Sequence, residues 1–223
     1  MSKYNSIRPY YDSEVNEVLK SSLHHPMMKA MMDFTFPDVD ENVWKEQLSK
    51  THSIRDFQIN FVYQSIQRVL ERSSEGLTTS GFDKLEPNTS YLFISNHRDI
   101  ILDTSLLNVS LFDHGLVMTA SAIGDNLVQK DFLLKLSKLN RNFLVQRGLT
   151  PRELLQSSKL MSEYMHHLLS NENRSVWIAQ REGRTKDGND ATHSGVLKMI
   201  AMASDEKNNM DFFKKIKIVP VSI

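Results

Sequence analysis

The sequence predicts an α/β fold, a largely parallel central sheet flanked by helices, with an N-terminal helical section ahead of it. Three observations predict it. From residue 76 onward, short apolar runs of strand type alternate with stretches of helical spacing. Upstream of Gly76 the apolar residues recur at helical spacing, as in Val15, Val18 and Leu19. Three of the apolar runs, at 91–95, 142–145 and 175–179, give way directly to polar clusters, as parallel strands do at the carboxyl edge of a sheet, where ligands bind.

Taken in order, residues 1–75 form the helical section, its longer segment running from Trp44 through Phe57, Phe61, Val62, Ile66, Val69 and Leu70. Between its helices Met27, Met28, Met31, Met32, Phe34 and Phe36 gather soft apolar side chains, suited either to packing or to lipid contact. After Ser73-Ser-Glu-Gly76 the α/β domain is expected to span 76–223. Its strands are expected at 77–80, 91–95, 115–119, 142–145, 175–179 and 216–223, and its helices at 100–112, 130–139, 151–169 and 195–204. One helix start is well marked: Thr150 caps, Pro151 takes the first turn and Glu153 completes a capping box. That helix should bury Leu154, Leu155, Met161, Met165 and Leu168. The chain breaks off inside an apolar run at Val221-Ser-Ile223, so a further C-terminal part is expected.

Composition narrows the function classes. The 223 residues hold no cysteine, which removes disulfides, thiolate metal sites and a cysteine nucleophile, and fits a reducing compartment. Lys+Arg and Asp+Glu each number 27, so no global field draws nucleic acid. The N-terminus lacks the apolar core of a signal peptide, and no run approaches the ~18 apolar residues of a membrane span. A cytoplasmic protein is expected, touching membranes only peripherally. His24-His25 and His166-His167 are adjacent pairs rather than i, i+4 pairs, so no metal site is expected. Gly-x-Ser-x-Gly and Gly-x-Gly-x-x-Gly are both missing, which argues against a serine hydrolase of that type and a dinucleotide enzyme.

Chemistry concentrates after three strands. In Asn96-His97-Arg98-Asp99-Ile-Ile-Leu-Asp103, a histidine suits proton abstraction near neutrality, and a carboxylate can fix its tautomer. The same residues also read as a helix start, with Asp99 capping and Asp103 favoured by the dipole. Arg147 ends the run Phe143-Leu-Val-Gln and has the shape to grip a phosphate or carboxylate, or to form a surface ion pair. Gln180-Arg-Glu182-Gly183-Arg184-Thr-Lys186-Asp-Gly188 is a basic loop whose glycines let backbone approach an anion. It lacks the Lys-Ser/Thr ending of a P-loop, so it also reads as a solvated charged loop.

The order of these blocks, closed by the strand Val219-Pro-Val-Ser-Ile223, resembles the glycerolipid acyltransferase superfamily, which includes the glycerol-3-phosphate and 1-acylglycerol-3-phosphate acyltransferases. The resemblance covers about residues 77–223. It implies that His97 is the general base and Asp103 its partner, and that Arg147, Glu182, Gly183 and Arg184 bind the acceptor phosphate, with Lys186 sharing that role. Two departures stand out. Five residues separate His97 from Asp103 where the family pattern has four, which makes Asp99 a rival partner. An extra residue inside the helix would swing the carboxylate by ~100° away from the imidazole, whereas one in the preceding loop leaves the pair intact. The third block reads Glu-Gly-Arg-Thr in place of Glu-Gly-Thr-Arg or Glu-Gly-Gly-Arg.

The resemblance further implies acyl transfer from acyl-CoA or acyl carrier protein to a hydroxyl of a lysophospholipid or glycerol-phosphate acceptor. It implies no cofactor beyond that co-substrate, no acyl-enzyme, no nucleic acid, and peripheral contact with the cytoplasmic face of the membrane, for which the segment from Met27 to Phe36 is the candidate. Transfer to a non-phosphorylated lyso-lipid or an amine, and non-catalytic lipid binding, remain open at this point.

Overall fold

A computed structural model describes residues 2–186, 188–206 and 208–223. The chain forms two compact units, one comprising residues 1–7, 79–127 and 143–223, the other 8–78 and 128–142.

The second of these is helical. It contains α1 (Asp12–Ser22), α2 (Pro26–Thr35), α3 (Glu41–Ser49), α4 (Ile54–Phe57), a π-helical turn (Gln58–Tyr63), α5 (Gln64–Ser73) and, from further along the chain, α7 (Asp131–Leu139). Their apolar faces meet in a core of Val15, Leu19, Trp44, Leu48, Phe57 and Leu139. Met28 and Met32 belong to that core, at 1% and 3% exposure, and Met31 and Phe36 pack half-buried against it, whereas the apolar side chains of Met27 and Phe34 are exposed.

The other unit holds a five-stranded, all-parallel sheet flanked by helices. Its strands are β1 (Leu92–Ser95), β2 (Thr119–Gly124), β3 (Asn142–Val145), β4 (Ser175–Ala179) and β5 (Ile218–Val221), in the order β3-β2-β4-β1-β5. The helices are α6 (Leu102–Asp113), α8 (Pro151–Ser170), α9 (Ser194–Ile200) and α10 (Asn209–Phe213). Ser95 lies opposite Ala179 of β4 and Val221 of β5, so the carboxyl ends of three neighbouring strands are level. Side chains alternate between the two faces of each strand. Phe93 and Trp177 point to one face, where Leu107 and Leu111 of α6 cover them. Each such buried side chain contributes about 1.5–3 kcal/mol. α8 packs on β4, and Ser162 within it accepts the Ala203 N–H and donates to the Ile200 carbonyl.

Several boundaries differ from the expected ones. Residues 77–80 are not a strand: all four are exposed between Gly76 and Gly81, and a lone leucine supplies nothing to bury. Residues 115–119 give way to a strand at Thr119–Gly124, because Gly115, at φ 67°, ends α6 as its C-terminal cap, with the Leu116 N–H reaching the Leu111 carbonyl. β2 is concealed in sequence by its composition, Thr-Ala-Ser-Ala-Ile-Gly, and is secured by Asn108 of α6, which bonds the Thr119 N–H at 2.7 Å and its hydroxyl at 2.9 Å. The run at 216–223 shortens to Ile218–Val221, an edge strand, which is where a strand tolerates Pro220. α9 stops at Ile200 and continues only as a 3₁₀ turn, and α10, capped by Asn208, escapes the apolar pattern because it is so short. In α8, Met161, Met165 and Leu168 are buried as expected, but Leu154 and Leu155 stand 53% and 60% exposed.

Candidate active site

The candidate site lies at the carboxyl edge of the sheet, the place where an all-parallel sheet presents its loops to a ligand. After Ser95 the chain leaves β1 as a loop, turns at Ile100 and Ile101, and enters α6 at Leu102. Helical side chains tilt toward the N-terminus, so the carboxylate of Asp103, second residue of α6, reaches back into that loop. There it accepts three hydrogen bonds, from His97 Nδ1 at 2.7 Å, the Arg98 N–H at 2.7 Å and the Asp99 N–H at 3.0 Å. Asp103 is 1% exposed and the His97 side chain 15%.

Asp99 is occupied differently. Its Oδ1 accepts the N–H groups of Ile101 and Leu102, both at 2.8 Å, capping α6. The Leu102 and Ile101 N–H groups hold its carboxyl below the usual carboxylate range, with help from the charges of Arg184 and His97. The extra residue of the first block is therefore taken up in the loop before the helix, and Asp103 stays on the imidazole.

His97 is fixed on further sides. Its carbonyl accepts the Thr185 N–H at 2.8 Å, and its ring meets Trp177 of β4 edge-on, centroids 5.7 Å apart. Trp177 Nε1 donates to Ser95 Oγ at 2.9 Å, and that hydroxyl donates to the Asn96 carbonyl at 2.6 Å. With Nδ1–H donated to Asp103, the imidazole keeps its Nε2 lone pair, a tautomer inferred from the hydrogen-bond pattern.

The second and third blocks meet each other at the same edge. Arg147 Nη1 bonds Glu182 Oε1 at 2.6 Å, in an exposed pair. Gly183 adopts φ 70°, a left-handed conformation that suits glycine, just where the loop turns back toward His97. Arg184 and Lys186 are exposed and form no ion pair among the described residues. Transposing threonine and arginine in this block thus puts the threonine inside, bonded to His97, and the arginine outside, near Asp99.

Three residues that the sequence did not single out support the arrangement. Asp125, directly after β2, accepts the Arg147 N–H at 3.1 Å, and a side chain added to Gly124 would stand 2.5 Å from Asn126 Oδ1 and 3.5 Å from Arg147 Nε. Misplacing β2 at 115–119 hid this Gly124-Asp125 turn, which a glycine followed by aspartate at a strand end could have signalled. Asp190 accepts Arg98 Nη2 at 2.6 Å and Asn96 Nδ2 at 3.3 Å, joining the loops after β1 and β4. Asn96 also pairs in both directions with the Ile223 backbone, at 2.8 and 3.0 Å. Among the described residues no cluster of three His, Asp or Glu side chains is arranged to hold a metal ion.

No curated protein matches the chain. A family model described as Acyltransferase matches residues 76–223, which take in every strand and all of the candidate site. With that match laid over a histidine–aspartate pair at the carboxyl edge of a parallel sheet, the chain belongs to the glycerolipid acyltransferase family.

Proposed function

We propose that the protein transfers a fatty acyl group from acyl-CoA or acyl carrier protein to a hydroxyl of a glycerol-phosphate or lysophospholipid acceptor, with His97 as general base. The observation that carries this reading is the 2.7 Å bond from His97 Nδ1 to the buried Asp103 carboxylate. Nε2 takes the proton of the acceptor hydroxyl as its oxygen attacks the thioester carbonyl, and the resulting imidazolium is stabilised by Asp103. Collapse of the tetrahedral intermediate breaks the carbon–sulfur bond, and His97 returns the proton to the departing thiol. Transfer is direct, in keeping with a chain that has no cysteine to carry an acyl group.

Arg147 and Arg184, both exposed at this edge, are the groups suited to an acceptor phosphate, Arg147 through the donors that Glu182 leaves free, with Gly183 allowing close approach and Lys186 nearby. Among the described residues no helix is long and apolar enough to cross a membrane, and peripheral contact suits a lipid acceptor. The test is thiol release from acyl-CoA and acyl carrier protein with glycerol-3-phosphate, lysophosphatidic acid and a non-phosphorylated monoacylglycerol, for wild type and His97→Ala. Release that needs a phosphorylated acceptor and falls by about 10²–10⁴-fold in His97→Ala supports the reading. Undiminished release in His97→Ala defeats the mechanism, and equal rates with monoacylglycerol remove the phosphate from it.

A further inference from the structure

Leu154 and Leu155 occupy positions at which the helical pattern of α8 calls for burial, yet both are exposed. They are not isolated. Among the described residues of the sheet-bearing unit, Ile100, Ile101, Leu127, Leu154, Leu155 and Ile223 are exposed large apolar side chains that follow the carboxyl end of a strand, while Met210 and Ile218 are the two that do not. Exposed apolar surface in this unit is thus concentrated on the edge that bears His97. The Arg147 N–H bond to Asp125 ties the loop after β2, with Leu127, to the approach to α8, with Leu154 and Leu155. Scattered surface leucines need no explanation, but the gathering of six of this unit's eight exposed large apolar residues after strand ends does.

Charge identifies the partner. Arg152, Arg184 and Lys186 stand exposed at the same edge and form no ion pair among the described residues, whereas Arg98 and Arg147 are neutralised by Asp190 and Glu182. Exposed cations among exposed leucines and isoleucines match the interface of an anionic bilayer, where apolar side chains enter the acyl boundary and basic ones meet headgroups. We propose that the carboxyl edge of the sheet, through Ile100, Ile101, Leu127, Leu154 and Leu155 with Arg152, Arg184 and Lys186, is the surface by which the protein docks on anionic lipid, so that an acceptor enters the site from the membrane plane. The proposal rests on the lipid-acceptor reading above and moves the membrane contact away from the methionine-rich segment, whose Met28 and Met32 are buried.

The test is flotation of the full chain with vesicles of phosphatidylcholine alone or mixed with phosphatidylglycerol, for wild type, the double variant Leu154→Asp plus Leu155→Asp, and Met210→Asp as a surface control. Acidic residues near the start of α8 are favoured by its dipole, and matching thermal melts verify that the variants fold. Wild type and Met210→Asp are expected to bind the anionic vesicles, more weakly as salt rises, and the double variant to partition about tenfold less. The double variant should also keep wild-type activity on a dissolved short-chain acceptor while losing it on acceptor embedded in vesicles. No binding by wild type, equal binding by the double variant, or equal loss in Met210→Asp overturns the proposal. So does self-association of the lipid-free wild type that the double variant abolishes, which would make this edge an interface between copies. Because flotation is read without turnover, an active His97→Ala would defeat the catalytic reading and leave the docking result standing.

Discussion

The carboxylate of Asp103 accepts bonds from His97 and from two backbone N–H groups, so its orientation is set by the loop as well as by the imidazole. Arg147 is held in a comparable way, through its backbone by Asp125 and through its guanidinium by Glu182. If Arg147 grips the acceptor phosphate, Arg147→Ala should raise KM for a phosphorylated acceptor about 10–100-fold, the weight of a hydrogen bond to a charged group. Turnover of a non-phosphorylated acceptor should stay as it is. Asp125→Ala should produce a smaller rise of the same kind, since it frees the Arg147 backbone without removing the charge. Steady-state kinetics on both acceptor classes check this, and an unchanged KM in Arg147→Ala would place the phosphate elsewhere. His97, Asp103 and Arg147 were legible as residue types after strands. Their supports were not, because Asp125, Thr185 and Asp190 act through long-range hydrogen bonds that only the folded chain brings together.

Among the elements, α6 shows how one local sequence serves two ends. Asp99 caps it from the loop while Asp103 reaches out of its first turn, so the two readings of this stretch, capping and pairing with His97, fall to different carboxylates. Asp99→Ala should cost about 1 kcal/mol of stability, the usual worth of a cap. Folding lowers the Asp99 pKa, so its contribution is fully present above the unfolded value of about 3.9 and is lost as pH falls through the lower folded value. Urea midpoints of wild type and Asp99→Ala should therefore differ at pH 6 and converge toward pH 2–3; a difference that grew with acid would contradict the assignment. α8 was legible from its capping box, with the Thr150 and Glu153 side chains each bonding the other's backbone. Its exposed Leu154 and Leu155 were misjudged, since periodicity reports which residues share a face and not what covers that face. β2 was misplaced for a related reason: Thr119, Ala120 and Ser121 are buried without being strongly apolar.

At the scale of the whole molecule, the alternation of strands and helices after residue 76 was enough to predict the parallel sheet, and parallel strands alone require the loops after β1, β3 and β4 to share an edge. The strand order β3-β2-β4-β1-β5 was not legible, because pairing depends on long-range packing that no local pattern encodes. That order sets β4 beside β1, which is why the loop after β4 closes on His97 through Thr185. The most direct measurement is the turnover number of Asp103→Asn and Asp99→Asn with saturating acyl donor and acceptor. If Asp103 orients the base, Asp103→Asn should lower kcat by at least about a hundredfold, while Asp99→Asn, which keeps a capping oxygen, stays within about threefold of wild type. Wild-type kcat in Asp103→Asn, or the large loss appearing in Asp99→Asn instead, would contradict a His97–Asp103 base.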